Sequence, residues 1–442
     1  MLKNRFFSSS RTIIFGFALV ILIGTLLLML PISSKERVIT PFFDCLFTAT
    51  SSTCVTGLVV YDTATHWSLF GQLIILFMIQ IGGMGIVTMA IVVTMLSGKK
   101  INLTQRSAMQ ESISANKVGG IIRLSRFIII TSAVIELLGA IVLAFVFCNS
   151  ENGFLKGLWL SLFHSVSAFC NAGFDLMGEN AQFSSLTQYV DNPVVNITIM
   201  LLIVIGGIGF LTWDDIKTNK FHIRRYRMQS KVILFLTSAF ILVPAIYFFF
   251  FEFSEFGIKK RILASLFQAV TPRTAGFNTI DASEISETGN TIVTLLMLIG
   301  GAPGSTAGGM KITTISVLFA ASASVFRKRD NAHIFSRRIS DDVVKTAATI
   351  LLMYLTLFIS GAMIISRVEH LPIINCFYET ASAIGTVGLT TGITPTLSIV
   401  SKFILILLMY MGRVGGLTIV FATHNNYQKN LVKYPLENIN VG

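Results

Sequence analysis

The sequence predicts an all-α polytopic membrane protein, on the basis of its composition, its apolar runs and the placement of its basic residues. Of 442 residues, 53% are hydrophobic and only 13% are charged, and the mean hydropathy is +0.74. Such a chain is too apolar for a soluble enzyme, and several apolar runs approach the roughly 20 residues that cross a bilayer as a helix. The first run, residues 12–30, is too long for a secretory signal, so we expect it to remain as a helix.

Basic residues are concentrated in five segments that alternate with basic-poor ones. This pattern accounts for the net charge of +12, and the positive-inside rule places all five segments in the cytoplasm. We therefore expect a plasma-membrane protein with both termini in the cytoplasm, surrounded by membrane lipids and without a nucleic-acid partner. The basic residues lie in the amino-terminal tail (Lys3, Arg5 and Arg11), in residues 98–126, 217–231 and 327–345, and at Lys429 and Lys433.

The five cysteines and six histidines give no sign of a metal site or a disulfide framework. There is no CxxC pair and no HExxH motif, so we expect no metal and no cofactor in this chain. The sequence also lacks a recognisable set of catalytic Ser, His and Asp residues. A polytopic membrane enzyme remains an alternative from a different functional class, but it leaves the internal repeat described next unexplained.

Four short segments align on one glycine, and this repeat organises the whole chain. The aligned glycines are separated by 116, 103 and 112 residues, and each has an aromatic residue nine or ten positions upstream. The segments are Cys54-Val55-Thr56-Gly57, Cys170-Asn171-Ala172-Gly173, Arg273-Thr274-Ala275-Gly276 and Gly385-Thr386-Val387-Gly388, and the aromatic residues are Phe47, Phe163, Phe267 and Tyr378.

Each unit has the same predicted order: a long helix, a short re-entrant helix, the glycine segment and a second long helix. The short helices have ten to thirteen residues and cannot cross a bilayer. Eight spanning helices and four re-entrant hairpins result. The first long helices are predicted at 12–30, 127–147, 232–251 and 346–365, the short helices at 41–53, 157–169, 262–271 and 374–384, and the second long helices at 69–96, 194–211, 291–319 and 403–422.

The repeat also predicts domain boundaries. Residues 1–97 form the first unit, 98–216 the second with its cytoplasmic linker, 217–323 the third with its linker, 324–428 the fourth with its linker, and 429–442 a cytoplasmic tail. Because both ends of each unit are expected in the cytoplasm, the glycine segments should face outward.

Non-helical backbone at membrane depth survives only where protein buries it or where it lines a watery path. Four such segments around a pseudo-fourfold central pore would present carbonyl oxygens that replace the hydration shell of a monovalent cation. Glycine lets the four chains approach closely. The carboxyl ends of the short helices would add partial negative charge, and Asp175 would add a full negative charge at the pore mouth.

These residues resemble the Trk/Ktr/HKT superfamily of potassium transporters, and most closely the membrane subunit of bacterial Ktr systems. The resemblance covers almost the whole chain and includes residues 305–311 and 411–416. It implies that the sixteen residues of the four glycine segments form a selectivity filter. In this family a glycine in all four segments accompanies K⁺ selectivity, so Gly57 indicates K⁺. The family further implies a homodimer, a cytosolic nucleotide-binding regulatory ring and stimulation by Na⁺.

A glycine-rich stretch interrupts the last predicted helix of the third unit. Five glycines and a proline within twelve residues disfavour a continuous helix. A simple kink or a close packing of small residues is one interpretation, and an intramembrane gate loop below the filter, which the resemblance implies, is the other. The predicted gate spans residues 300–311 and includes Gly300, Gly301, Gly304, Ser305, Thr306, Gly308, Gly309 and Lys311.

Arg413 lies within an apolar run, where a guanidinium is costly unless it is paired or faces water. One interpretation is a structural ion pair with Glu379 or Glu136. The other places Arg413 below the filter as an electrostatic barrier, and the resemblance supports it.

The predicted function is potassium uptake across the plasma membrane through a four-loop filter, gated by the intramembrane loop and regulated by a cytosolic partner. A Na⁺-selective or Na⁺/K⁺ symporting member of the same superfamily is the nearest alternative.

Overall fold

The computed structural model describes residues 9–85, 88–89, 110, 120–149, 153–179, 181–415, 418 and 437. Most of the predicted basic segment 98–126 and of the tail 429–442 lies outside this part of the chain. The described part is mostly helical. Its α-helices are α1 Ser9–Leu28, α2 Phe42–Thr53, α3 Thr63–His66, α4 Leu69–Met84, α5 Ile121–Phe147, α6 Phe154–Phe169, α7 Pro193–Gly207, α8 Phe210–Asn219, α9 Met228–Tyr247, α10 Ile258–Val270, α11 Glu287–Met297, α12 Ile312–Phe326, α13 Asp341–Glu369, α14 Ile373–Gly385 and α15 Ile399–Val414.

Smaller elements connect these helices. A π-helical turn, Phe248–Glu252, continues α9, and short 3₁₀ turns occupy Pro31–Ser33, Thr187–Tyr189, Ile223–Arg225, Ala282–Glu284 and Thr394–Thr396. Between α12 and α13, a two-stranded antiparallel hairpin pairs β1 (His333–Ile334) with β2 (Arg337–Arg338).

The first long helix of each unit is present and is able to span a membrane. Four helical stretches in the described part meet the length and hydropathy of a membrane span: Arg11–Leu28, Ile121–Phe147, Met228–Glu252 and Asp341–Glu369. Each is buried over about a third of its window or less, so most of its apolar surface faces outward, as a lipid-facing helix requires. Phe145, which is 84% exposed, lies on such a surface.

The second long helix of each unit is not continuous. The predicted interruption of the third is present, whereas the prediction of unbroken helices in the other three units is wrong. Helix α4 ends at Met84, α7 at Gly207 and α15 at Val414, while the third unit stops at Met297 and resumes at Ile312. Three of the breaks contain a glycine at positive φ, namely Gly85 (84°), Gly209 (88°) and Gly415 (86°). This region of backbone space is closed to most residues with a Cβ, so the glycines permit the turn.

As a result, the predicted eight spanning helices are not all present as single helices. The described part has four such spans, or five when α7 and α8, which meet at 95°, are taken as one broken span.

The short helices form as predicted, although α6 and α10 begin three and four residues earlier than expected. They have 12, 16, 13 and 13 residues. The aromatic residue of each (Phe47, Phe163, Phe267 and Tyr378) is at most 2% exposed. Their packing connects the units, because the second helix of one unit contacts the short helix of the next: α4 with α6, α7 with α10, α11 with α14, and α15 with α2. The last of these contacts returns to the first unit and closes the cycle.

Candidate cation pathway

The four aligned glycines lie against one another in cyclic order. A Cβ built on Gly57 would lie 2.5 Å from the carbonyl oxygen of Ala172, and one on Gly173 would lie 2.7 Å from that of Ala275. The same relation joins Gly276 to Val387 and Gly388 to Thr56, each still closer. Each glycine therefore faces the carbonyl of the residue before the glycine of the next unit. We call these four glycines and the four carbonyls the glycine ring; it has no space for a methyl group at any of its glycines.

The backbone around the ring has the same unusual conformation in all four units. The glycines have φ between 69° and 96°. The residue two positions before each glycine also has a positive φ, between 51° and 70°; these residues are Val55, Asn171, Thr274 and Thr386. Three of the four are β-branched, for which positive φ is a real outlier, and such strain is typical of functional sites. Sequence reasoning missed this feature, since these residues favour extended backbone.

In each unit, a hydroxyl near the end of the short helix forms a hydrogen bond with the backbone at the ring. In the first and fourth units the glycine N–H donates to a serine Oγ: Gly57 to Ser51 at 3.1 Å and Gly388 to Ser382 at 3.0 Å. In the second and third units the hydroxyl instead donates to the carbonyl after the glycine. These bonds run from Ser167 Oγ to Phe174 O (2.7 Å) and from Thr271 Oγ1 to Phe277 O (2.6 Å).

The innermost residues of the predicted filter face away from the ring and are buried. The Cys170 thiol donates to Gln80 Oε1 at 3.5 Å. Arg273 donates from a guanidinium nitrogen to the carbonyl of Thr237 at 3.2 Å and is 8% exposed. Cys54 is fully buried as well. These positions therefore present backbone groups rather than side chains to the ring. The side chain of Arg273 places a buried cation behind the third segment.

Some hydroxyl groups beside the ring remain without a protein partner. Within the described part of the chain, the buried hydroxyl oxygens of Thr53, Thr56, Thr274 and Thr386 accept and donate no hydrogen bond. An unpaired buried hydroxyl costs free energy, so these oxygens suit a site that water or a cation enters.

The glycine-rich loop of the third unit, residues 298–311, lies directly against the amino-terminal end of the ring segments. A Cβ on Gly309 would lie 2.8 Å from the carbonyl of Gly385, and one on Gly308 would overlap the Thr386 hydroxyl. Thr306 donates from its hydroxyl to the carbonyl of Phe169 at 3.0 Å. The loop thus touches the second and fourth units at the base of their glycine segments.

Backbone hydrogen bonds hold this loop against the broken helix of the second unit. Ala302 N donates to Gly207 O (2.9 Å), Phe210 N donates to Gly304 O (2.7 Å), and Thr306 N donates to Gly206 O (3.3 Å). The break between α7 and α8 supplies the free groups for these bonds. The contact is therefore a short zipper of three backbone hydrogen bonds. The small residues also pack closely, since a Cβ on Gly209 would lie 3.2 Å from that of Ala302.

Arg413 joins the loop to two other units through carbonyl oxygens. One guanidinium nitrogen donates to Thr306 O, and the other donates to Gly82 O and, at 3.1 Å, to Gly83 O. The predicted ion pair with Glu379 or Glu136 is wrong. The carbonyl groups at the end of α4 accept hydrogen bonds from the guanidinium instead, because the last C=O groups of a helix have no intrahelical partner.

Lys311 binds its own loop. Its ammonium donates to Ala307 O at 2.8 Å and to Gly308 O at 3.3 Å. Lys311 and Arg413 both line a cavity of about 260 Å³ below the ring, together with Tyr354, Phe17 and Phe210.

Glu136 and Glu379, the two carboxylates considered as partners of Arg413, are buried and have neutral partners. Glu136 accepts from Gln80 Nε2 at 3.0 Å and 3.2 Å. Glu379 accepts from the hydroxyls of Thr390 and Thr394 and from the N–H of Thr391. Glu379 therefore ties the fourth short helix to the chain that leaves the ring.

The acidic residue predicted at the pore mouth lies just after the glycine of the second unit. Asp175 lies two residues after Gly173, and its carboxylate accepts from the N–H of Met177 at 3.0 Å. It is partly buried. At the surface nearby, Glu179 pairs with Lys156 and Lys35, and the hydrogen bond from Lys156 lowers the pKa of Glu179. Among the described residues, no group of three His, Cys, Asp or Glu side chains is placed to hold a metal ion.

Comparison with known proteins gives consistent matches along the whole chain. The family model described as "TrkH: Cation transport protein" matches residues 5–434. The potassium/sodium uptake protein NtpJ of Enterococcus hirae is 38% identical over 438 residues, which are 97% of this chain and 96% of that protein. The Ktr system potassium uptake protein B of Bacillus subtilis is also 38% identical, over 435 residues, with 97% and 96% covered.

A solved structure shares the fold. The crystal structure of the potassium transporter TrkH from Vibrio parahaemolyticus matches with a TM-score of 0.75 at 18% identity, covering 96% of this chain and 86% of that one. At this identity the match establishes the fold alone. The relatives are cation transporters and not enzymes.

Proposed function

The chain belongs to the TrkH family of cation transport proteins, and we propose that it takes up K⁺ through the glycine ring. The single observation that carries this proposal is the cyclic contact of four glycines with four carbonyls. Carbonyl oxygens held at close range replace the water around a monovalent cation, which is how filters make entry favourable. The family membership and the names of both relatives support cation uptake as the process.

The proposed path runs along a pseudo-fourfold axis through the four units bounded at residues 97, 216, 323 and 428. The sixteen residues of the glycine segments would form the filter, and Asp175 would lie at its outer mouth. We propose that the filter faces outward from a bacterial plasma membrane, with both termini in the cytoplasm. A negative membrane potential then drives K⁺ inward, since one charge gains about 2.3 kcal/mol per 100 mV.

We propose that residues 300–311 gate this path and that Arg413 latches the gate. The loop lies against Gly385 and Thr386 at the inner end of the filter, and Arg413 connects Thr306 to the first unit. A cation leaving the filter would meet both the loop and the positive charges of Arg413 and Lys311. Opening therefore requires the Arg413 bond to Thr306 and the zipper to α7 to break.

Regulation would come from outside this chain. The sequence has no GxxxxGK[ST] phosphate-binding loop, and the name of the Bacillus subtilis relative assigns that protein to a Ktr system. We propose a homodimer that binds a cytosolic nucleotide-binding ring, with Na⁺ as an activator and no resident cofactor. The name of the Enterococcus hirae relative includes sodium as well as potassium. A Na⁺-selective or Na⁺/K⁺ symporting activity is therefore the second candidate function.

The filter is tested by K⁺ and Na⁺ uptake in a bacterial strain that lacks its own potassium transporters. The chain is expressed alone and with a cytosolic Ktr partner, beside Gly57→Ser and the matched control Gly153→Ser. Both glycines have positive φ, but a Cβ at Gly153 meets nothing within 4 Å. We expect the wild-type chain and Gly153→Ser to restore growth on limiting K⁺, and Gly57→Ser to lose discrimination against Na⁺.

Two results would contradict the proposal. Uptake of Na⁺ alone by the wild-type chain would assign the second candidate function. Uptake of neither ion, with the protein folded in the membrane and the partner present, would remove the uptake function altogether.

The latch is tested by Arg413→Gln, with Lys311→Gln as its comparison. Glutamine at 413 removes the charge and the bonds between the loop and the first unit, whereas Lys311 bonds only within its own loop. We expect a faster K⁺ uptake at saturating K⁺ for Arg413→Gln, by about tenfold, since a charge-assisted hydrogen bond contributes about 1.5–3 kcal/mol, and a smaller rise for Lys311→Gln. Equal rates in the wild type and Arg413→Gln would show that the latch does not limit uptake.

A further inference from the structure

Helix α8 follows α7 at nearly a right angle. Helix α7 has 15 residues, and α8 begins after two further residues at an angle of 95°. Asp214, Asp215 and Lys217 lie on α8. The membrane span Met228–Glu252 begins shortly after α8, so the chain between them lies at the membrane surface.

The chain that follows α8 is a rigid turn. The Tyr226 hydroxyl donates to Lys220 O, and the Lys231 ammonium donates to Arg224 O at 2.8 Å. Arg227 pairs with Asp214 at 2.7 Å and closes the turn against α8. The turn is thus held at both ends by side-chain bonds.

This rigid turn presents apolar side chains beside basic ones. Phe221 is 97% exposed and Ile223 is 60% exposed, the former among the most exposed large apolar residues of the described part. Lys220, Arg224 and Arg225 are exposed on the same turn. We name residues 216–225 the interfacial turn.

The carboxylates closest in the chain do not neutralise these basic residues. Asp214 and Asp215 are occupied by Arg227, and Asp215 also accepts from the Ser230 hydroxyl at 2.6 Å. Within the described part of the chain, Lys220, Arg224 and Arg225 form no salt bridge. Among the described residues, nothing therefore compensates the positive charge of the interfacial turn, which lies next to exposed aromatic and aliphatic side chains.

We propose that the interfacial turn binds anionic phospholipid, with Phe221 and Ile223 inserted among the acyl chains and Lys220, Arg224 and Arg225 on the headgroup phosphates. Exposed apolar side chains alternating with basic ones suit the boundary between headgroups and acyl chains. Basic residues near an anionic membrane surface add to the affinity. A lipid is favoured over a protein partner because the membrane span Met228–Glu252 begins three residues after the turn, so the membrane surface is within reach. The site acts as an anchor for the second unit, whichever cation the chain carries.

Native mass spectrometry of the full-length purified chain tests this proposal. The protein is incubated in detergent with equimolar phosphatidylglycerol and phosphatidylcholine of the same acyl chains, and retained lipid adducts are measured. We expect phosphatidylglycerol to be retained in preference. Arg224→Gln combined with Arg225→Gln should weaken its apparent affinity by about 30-fold, as expected when two basic residues near the surface are lost.

The matched control removes the same charge from the hairpin, by Arg337→Gln combined with Arg338→Gln. These arginines form the exposed strand β2, and the control should keep the preference for phosphatidylglycerol. Inorganic phosphate in tenfold excess should not displace the lipid, since it has no acyl chain for Phe221 to contact. Phe221→Ser should weaken retention of both phospholipids while leaving the headgroup preference.

Several outcomes would overturn the proposal. The proposal fails if the wild-type chain retains the two phospholipids equally, or if both arginine double variants lose the same affinity for phosphatidylglycerol. It also fails if inorganic phosphate displaces the lipid, which would make the turn a free-anion site. Binding of the cytosolic Ktr partner that depends on Arg224 and Arg225, without any lipid preference, would assign the turn to a protein instead. The uptake assay on the same variants separates a failure here from a failure of the proposed function.

Discussion

The glycine segments of the first and fourth units differ from those of the second and third, although their backbones agree. In the first and fourth units a serine oxygen accepts from the glycine N–H. In the second and third units a hydroxyl donates to the carbonyl after the glycine. The residues beside the glycines follow the same division. In the first and fourth units the glycine is preceded by a β-branched residue (Thr56, Val387) and followed by leucine (Leu58, Leu389). In the second and third units it is preceded by alanine (Ala172, Ala275) and followed by phenylalanine (Phe174, Phe277).

This difference shows which property of the ring is common to all four units. Positive φ at the glycine and two residues before it occurs in every unit, whereas the hydroxyl has either of two roles. A hydroxyl is both donor and acceptor, so it satisfies a buried N–H or a buried C=O equally well. The ring thus depends on backbone conformation, and the supporting side chains can differ as long as the buried polar groups are paired.

The largest expected effect separates close contact in the ring from positive φ as such. Gly388→Ala and Gly392→Ala both place a side chain at positive φ, at 96° and 89°, in the same loop. Only Gly388 faces a carbonyl, that of Thr56, and a Cβ at Gly392 meets nothing within 4 Å. Since overpacking costs about 1–3 kcal/mol, we expect K⁺ uptake by Gly388→Ala to fall by about tenfold or more.

Uptake at limiting K⁺, normalised to protein in the membrane, measures this effect. Gly392→Ala should stay near the wild-type rate and lose only some thermal stability from its left-handed conformation. Equal losses of uptake in both variants would mean that backbone strain, rather than the closeness of the ring, governs transport.

A smaller effect should distinguish the two roles of the hydroxyl. Ser51→Ala and Ser382→Ala leave a buried glycine N–H without a partner, which costs about 1–3 kcal/mol. Ser167→Ala and Thr271→Val leave a carbonyl without its donor, and unsatisfied carbonyls are better tolerated than unsatisfied N–H groups. We therefore expect the first two variants to lower the melting temperature of the detergent-solubilised protein more than the last two.

Ser161→Ala serves as the control for loss of a short-helix hydroxyl that does not contact the ring, since Ser161 donates to Gly157 O within α6. A uniform shift for all four ring variants would contradict the division into two pairs, and the two hydroxyl roles would then be energetically equivalent.

Part of the pathway could be predicted from the sequence because it is encoded in local patterns. The spacing of the four glycines and of the aromatic residues before them predicts the short helices. The nine-residue spacing at Phe267 shows that the stretch from the aromatic residue to the glycine is one residue shorter in the third unit. Hydropathy predicts the first long helix of each unit, since lipid exposure requires an unbroken apolar run.

Other features depend on which backbone groups meet in space. The break at Gly209 frees the carbonyls of Gly206 and Gly207, which accept hydrogen bonds from the third-unit loop. Arg413 needed a partner, and the sequence offered only carboxylates as candidates. Backbone carbonyls have no residue identity, so no sequence pattern could show that Gly82, Gly83 and Thr306 accept its hydrogen bonds.

The sequence by itself determined the membrane class, the family and the residues that form the four glycine segments, because apolar length and glycine spacing are properties of the chain. Only the tertiary structure decided where the second helices break, which oxygens hold Arg413 and how each ring hydroxyl is used. These depend on the distance and direction between groups far apart in sequence, and each glycine contacts a carbonyl in the next unit, about a hundred residues or more away along the chain.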